Sequence, residues 1–210
     1  VIIMSDKYYV YRPILIMLGF TEGTDKGDGY NETLAYGAFT GGNVNLVGMT
    51  LNQVDALQKK MLAHPANNWN SSAVGRYQIV RKTLLSIRKA LKLDGTELFN
   101  EELQDRCACF LLGQRGIDEY LQSKKSEDDM IVELSKEWAS LPKLDGRSYY
   151  SNQHAKVSVN YVKDVLAEVK KRYGEPPAPA VEVNSKFAMY VLVVISILMA
   201  ILTGIGALLQ

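Results

Sequence analysis

Apolar positions recur at helical spacing in several separate stretches of this chain, and residues that start or stop helices stand between them. In RPILIMLGFTEG, Pro13 suits a first helical turn and Gly23 a stop. TLNQVDALQKKMLAH opens with Thr50 and Gln53 at capping-box spacing. In GRYQIVRKTLLSIRKALKL, Ile79, Leu84, Ile87 and Leu91 fall near a helical period, which predicts a helix ending before Asp94-Gly95. NEELQDRCACFLLGQRG follows, with Asn100 as its cap and acidic residues in its first turn. SEDDMIVELSKEWASLP begins at Ser126 and ends before Pro142. A last helix is expected from about residue 152 to 172, stopping at Gly174. Strand signal occurs once, in TLAYGAFTGGNVNLVGM, where Gly41-Gly42 between partly alternating segments predicts a small β-hairpin.

The pattern changes past residue 173. YGEPPAPAVEVNSK carries Pro176, Pro177 and Pro179 and reads as an extended, semi-rigid linker over 174–186. Residues 187–210 then carry no charge and are apolar on every face. At ~1.5 Å rise, such a run is long enough to cross a bilayer, which predicts a transmembrane helix over 187–209. The expected order is a helical domain over 1–173, the linker, and a membrane helix. Ser196, Ala200 and Gly204 recur every four residues in the tail, a small-residue line suited to helix packing or to facing lipid.

Charge narrows the function classes. Twenty-four basic residues nearly cancel 23 acidic ones, which argues against an obligate nucleic-acid binder. Two histidines, His64 and His154, and a Cys107-x-Cys109 pair give no zinc pattern, so no metal and no cofactor are expected. Cysteines two apart on a helix point to different faces, so they read as packing residues rather than a disulfide. The start, VIIMSDKYYV, has too short an apolar stretch for a secretory signal. The acid-free run from Arg76 through Arg81, Lys82, Arg88, Lys89 and Lys92 reads either as a solvated helix face or as an attractor of anionic polymer.

Three stretches could carry chemistry. Glu22 closes the first apolar run, where the negative end of the helix dipole and apolar Leu18 and Phe20 both favour the protonated acid. A raised pKa is what a general acid near neutral pH needs, although a solvated charge before a loop fits the same residues. NSSAVGRYQIV sets a small-residue loop before Gly75, Tyr77 and Gln78, which offer close backbone approach, an apolar face and directional hydrogen bonds, or simply a helix start. EWASLPKLDGRSYYSNQ brings Trp138, Tyr149 and Tyr150, either a carbohydrate-stacking wall or core.

Taken in order, TEGTD, GRYQ, LQD…GQRG and EWASLP resemble the lambda-type phage endolysins, lysozyme-like lytic transglycosylases, over roughly residues 15–169. The resemblance implies a mainly α, α+β lysozyme-like fold: a two-lobed helical domain with a small β-hairpin beside an active-site cleft. It implies that Glu22 is the catalytic acid and that Tyr77, Gln78, Tyr150 and Gln153 are substrate-binding. The partner would be peptidoglycan glycan strands, cleaved between N-acetylmuramic acid and N-acetylglucosamine with 1,6-anhydro ends. Hydrolysis of the same bond, a non-catalytic wall-binding role and a pore-forming role are the alternatives. In the T-even phage lysozymes an aspartate follows the glutamate by nine residues and a threonine by a further six; here those positions are Asn31 and Gly37. Asp25, Asp28 and Glu32 remain as nearby carboxylates. With Lys170, Lys171, Arg172 and Lys186 before the tail, positive-inside bias places the domain on the cytoplasmic face of the host inner membrane. The enzyme would be held back from its substrate until a holin, or the tail itself, breaches the membrane.

Overall fold

Pro13 sits in the first turn of the first helix, where its missing N–H removes no helical hydrogen bond. That helix, α1 (Arg12–Thr21), is seen in a computed structural model that describes residues 6–175. The structure divides into two compact units, one of which is Val10–Glu175. Of the other, residues 6–9 are described, a turn closed by the Tyr9 amide donating to the Asp6 carbonyl at 2.9 Å.

Within Val10–Glu175 the fold is mainly helical. After α1 come a four-residue turn, α2 (Leu34–Gly37), then α3 (Leu51–Ala63), α4 (Arg81–Ala90), α5 (Glu101–Gln114), α6 (Ile117–Leu121), α7 (Glu127–Glu137) and α8 (Val159–Gly174). Local chemistry sets most starts. Thr50 Oγ1 accepts from the Gln53 amide while Gln53 Oε1 accepts from the Thr50 amide, a complete capping box. Asn100, Ser126 and Ser158 each accept from the amide three residues on, at 2.9, 3.1 and 3.2 Å. The last helix therefore begins at Val159, after Ser158, and not near residue 152. Likewise α4 begins at Arg81, because Gly75 and Gln78 take positive φ (75° and 48°) and turn the chain before it.

Helix α1 lies against α8, and α7 packs on both α6 and α8. Ile14, Leu15, Met17 and Leu18 of α1 are fully buried, as are Val162, Leu166 and Val169 of α8 and Met130, Ile131 and Leu134 of α7. Each such side chain contributes roughly 1.5–3 kcal/mol by leaving water. Four of them on one ten-residue helix hold its C-terminal end in a defined place, and Glu22 is the residue at that end.

Two expectations are corrected. The β-hairpin around Gly41-Gly42 does not form: among the described residues pairing is confined to isolated bridges such as Thr33 with Val74 and Thr50 with Leu98. The reason is local. The Gly42 amide and the Thr40 hydroxyl both turn back to the Gly37 carbonyl, at 3.1 and 3.2 Å, so the segment closes on itself instead of pairing. The transmembrane helix is the second correction. No helix among the described residues is long and apolar enough to cross a membrane, and the 187–209 segment on which it was expected lies outside them. The longest described helix, α8, has 16 residues and charges along it, short of the ~20 apolar residues a span needs. The inner-membrane localisation, the membrane as a partner and the holin-dependent release all rested on that helix and lose their basis with it.

Candidate active site

Glu22 caps α1, its amide donating to the Leu18 carbonyl at 2.8 Å. Glu22 is half-buried as a residue, and protein surrounds its carboxyl. Ser140, 118 residues away in the chain, donates its hydroxyl to Glu22 Oε1 at 2.6 Å. Ser140 Oγ also lies 3.1 Å from Thr21 Oγ1, and Thr21 can in turn donate to the Leu18 carbonyl at 3.4 Å. A serine hydroxyl has a single hydrogen. When Ser140 gives it to Glu22, Thr21 is left to donate to Ser140, so three side chains form one short hydroxyl–carboxyl chain.

Burial raises the Glu22 pKa above the ordinary carboxyl range, against the Ser140 hydrogen bond and the charge of Lys156, which both lower it. Burial wins. Lys156 stands nearby because its amide donates to the Ser140 carbonyl at 2.8 Å, which brings the end of the 143–155 loop back to the site.

The loop after Glu22 is tied to the rest of the fold by a polar network. Thr24 donates its hydroxyl to the Arg76 carbonyl at 2.8 Å. The Arg76 guanidinium forks onto Asp25 at 2.8 and 3.0 Å and lies over the Tyr30 ring, 5.2 Å from its centroid. Tyr30 and Tyr77 both donate to Asp105 Oδ1, at 2.7 and 2.5 Å, and Arg12 donates to Asp105 Oδ2 at 2.8 Å. Gln104, fully buried, donates to the Tyr30 and Phe99 carbonyls and accepts from the Arg76 amide. One side chain thereby holds the 29–31 turn and the 75–78 turn on α5.

The residues expected to bind substrate fall in different places. Tyr77 is 1% exposed, and burial followed by the Asp105 contact drives its hydroxyl pKa far up; it is a core donor with no open ring face. Gln78 is half-buried, its amide donating to the Gly75 carbonyl at 3.0 Å. Tyr150 and Gln153 lie on the exposed 143–155 loop, which lines a cavity of about 510 Å³ with Tyr149, Arg147 and His154. The Tyr150 hydroxyl donates to the Lys136 carbonyl at 2.8 Å, and its ring meets Tyr149 edge-on. Trp138 is buried, its indole donating to the Tyr77 carbonyl at 3.4 Å.

Two of the three nearby carboxylates, Asp25 and Glu32, are engaged elsewhere. Asp25 is paired with Arg76. Glu32 is buried and accepts from the amides of Asp28 and Thr33 at 2.8 and 3.0 Å. Asp28 is exposed. The basic run is partly consumed as well: Arg81 pairs with Asp55 at 2.7 Å and Arg88 donates to Asn52. Cys107 is buried, and burial pushes its thiol up to about 12, the behaviour of a packing residue. Among the described residues no cluster of three or more His, Cys, Asp or Glu is placed to hold a metal. Sequence reasoning missed Ser140, Thr21 and Lys156. Ser140 stood inside the quoted EWASLP motif, yet nothing local to it pointed at Glu22.

A sequence model of the endolysin family matches residues 12–168. The chain belongs to the endolysin family. The match takes in every helix from α1 to most of α8, and with them Glu22, Ser140 and the Asp105 network. No curated protein and no solved structure matches the chain. Membership makes this endolysin a phage-type cell-wall lytic enzyme that degrades peptidoglycan.

Proposed function

We propose that this endolysin cleaves the β-1,4 bond between N-acetylmuramic acid and N-acetylglucosamine as a lytic transglycosylase, with Glu22 as its one acid–base group. The observation that carries the reading is Glu22 itself, a half-buried residue whose carboxyl is pushed toward its neutral form by burial and aimed by one serine hydroxyl. A carboxyl neutral at working pH can protonate the bridging glycosidic oxygen as the bond breaks.

A hydrolysing glycosidase canonically needs a second carboxylate, as base or nucleophile. Asp25 and Glu32, the closest in sequence with defined partners, spend their oxygens on Arg76 and on backbone amides. The one-carboxylate route asks for no second group. Glu22 gives its proton to the leaving oxygen, and the substrate's own acetamido group shields the positive charge at C1. The ionised Glu22 then takes the proton from the muramoyl C6 hydroxyl as that oxygen bonds to C1. The proton count closes without water, and the ring becomes a 1,6-anhydro end.

The hydroxyl chain suits both halves of this cycle. Ionised Glu22 accepts from Ser140, which accepts from Thr21. Protonated Glu22 can donate to Ser140 instead, with Ser140 donating to Thr21 and Thr21 to the Leu18 carbonyl. Neither state leaves a buried hydroxyl unpaired.

The test is digestion of isolated sacculi with the products weighed by mass spectrometry. Anhydro ends that vanish in Glu22→Gln are expected. Reducing ends would replace the transglycosylase with a hydrolytic muramidase, and undiminished digestion by Glu22→Gln would remove Glu22 from the reaction.

A further inference from the structure

Tyr36 is held where an ordinary side chain does not go. Ala35 and Tyr36 both have left-handed backbone, φ 54° and 56°, a region that residues with a Cβ rarely adopt and almost never in succession. Such geometry persists only where the surroundings over-determine it. Here they do. On one side Thr33 is clamped by Glu32 Oε1, and the Leu34 amide donates to the Ala73 carbonyl at 3.0 Å. On the other, Gly37 lies so close to Gly42 that a Cβ would stand 2.7 Å from the Gly42 carbonyl oxygen. Thr40 stitches the two together through the carbonyls of Gly37 and Gly42.

What this strained turn delivers is an aromatic ring on the loop that follows Glu22. A Cβ on Gly23 would stand 3.2 Å from the Tyr36 hydroxyl oxygen, and one on Gly27 would stand 3.1 Å from its Cδ1. The ring therefore rests along the 23–27 loop, with glycines at both points of close approach. Even so, Tyr36 is 63% exposed, among the most exposed large apolar residues described. An exposed aromatic alone is ordinary on a protein surface, but one held there by two successive left-handed residues is not. This one is supported from below and open above, and its support starts at the residue next to Glu22.

We propose that Tyr36 is a sugar-stacking platform that binds an N-acetylated pyranose of the glycan strand beside the scissile bond. The C–H face of a pyranose is apolar and flat enough to cover an aromatic ring, while the tyrosine hydroxyl stays wet at the edge. The backbone strain belongs to this role, because relaxing the turn would swing the ring off the loop. The proposal rests on Glu22 as the acid, since it is Glu22 that makes the 23–27 loop part of the site.

Binding to isolated sacculi tests it, measured by co-sedimentation with Glu22→Gln as the parent so that nothing is digested. Tyr36→Ala should weaken binding at least about tenfold, and Tyr36→Phe should stay within about twofold because the ring is kept. Tyr36→Gly should weaken binding as Tyr36→Ala does and also raise Tm, since glycine tolerates the positive φ. That pairing of a more stable fold with poorer binding is something a merely structural tyrosine would not give. Binding by Tyr36→Ala or Tyr36→Gly within twofold of the parent overturns the proposal, as does a loss in Tyr36→Phe equal to that in Tyr36→Ala. The acid assignment fails separately, if Glu22→Gln in the otherwise natural chain still digests sacculi.

Discussion

Asp105 and Glu22 are carboxylates at opposite extremes of satisfaction in the same small fold. Asp105, 5% exposed, takes two tyrosine hydroxyls and a guanidinium. Glu22 takes one serine hydroxyl, is more open, and has its pKa raised by burial. A carboxylate saturated with donors is a fastener: it holds α1, α5 and the two turns between them together. A buried carboxyl with one hydrogen bond is poorly stabilised as an anion, so it keeps its proton to higher pH, which is what the proposed acid requires. The Asp105 network fixes the backbone around the site so that Glu22 can stay under-satisfied.

The contrast breaks first at Glu22. Glu22→Gln is expected to lower the initial rate of sacculus digestion by at least about 10²-fold, the usual contribution of a general acid. The same variant should be more stable at pH 7. Burial raises the folded pKa above the unfolded one, about 4.3, so the stability tied to Glu22 is fully present below the unfolded value and lost as pH rises through the folded one. Tm of Glu22→Gln should therefore exceed that of the natural chain at pH 7, and the gain should vanish near pH 3. A Tm lower than the natural chain's at pH 7 would mean that Glu22 is a fastener after all.

Asp105→Ala should behave in the opposite way. Removing one partner of a buried pair costs about 3–5 kcal/mol, read as a lower midpoint in urea unfolding. Ser140→Ala sharpens the comparison with a smaller effect. It removes a hydrogen bond worth about 1 kcal/mol and deletes an interaction that lowers the Glu22 pKa. The alkaline limb of the pH–rate profile, where Glu22 loses its proton, should move to higher pH, and an unmoved limb would separate Ser140 from the titration. Asp25→Asn is the smallest change. With Asp25 and Arg76 side chains 34% and 14% exposed, solvent screens the pair, and a loss of about 1 kcal/mol or less is expected by thermal unfolding.

The helix caps were legible in the sequence because each depends on groups within one turn. Thr50 reaches Gln53, Asn100 reaches Leu103 and Ser126 reaches Asp129. Signals that needed more than one turn misled. Gly41-Gly42 looked like a hairpin, but whether strands pair depends on partners that the segment found within itself. Tyr77 looked like a sugar-binding aromatic because its neighbours in sequence are small and polar; its neighbours in space are Asp105, Tyr30 and Trp138. Tyr36 drew no attention, since nothing in TLAYG announces two left-handed residues.

The chain's own pattern was enough to establish a mainly helical domain, the starts of α3, α5 and α7, and Glu22 at the end of an apolar helix in motifs of endolysin type. Periodicity, caps and helix ends are set by interactions over three or four residues, so they can be read in one dimension. The raised pKa of Glu22, its serine partner 118 residues away and the Tyr36 ring laid along the 23–27 loop belong to the tertiary structure. Desolvation depends on every atom packed around a carboxyl, and those atoms come together only when distant segments meet.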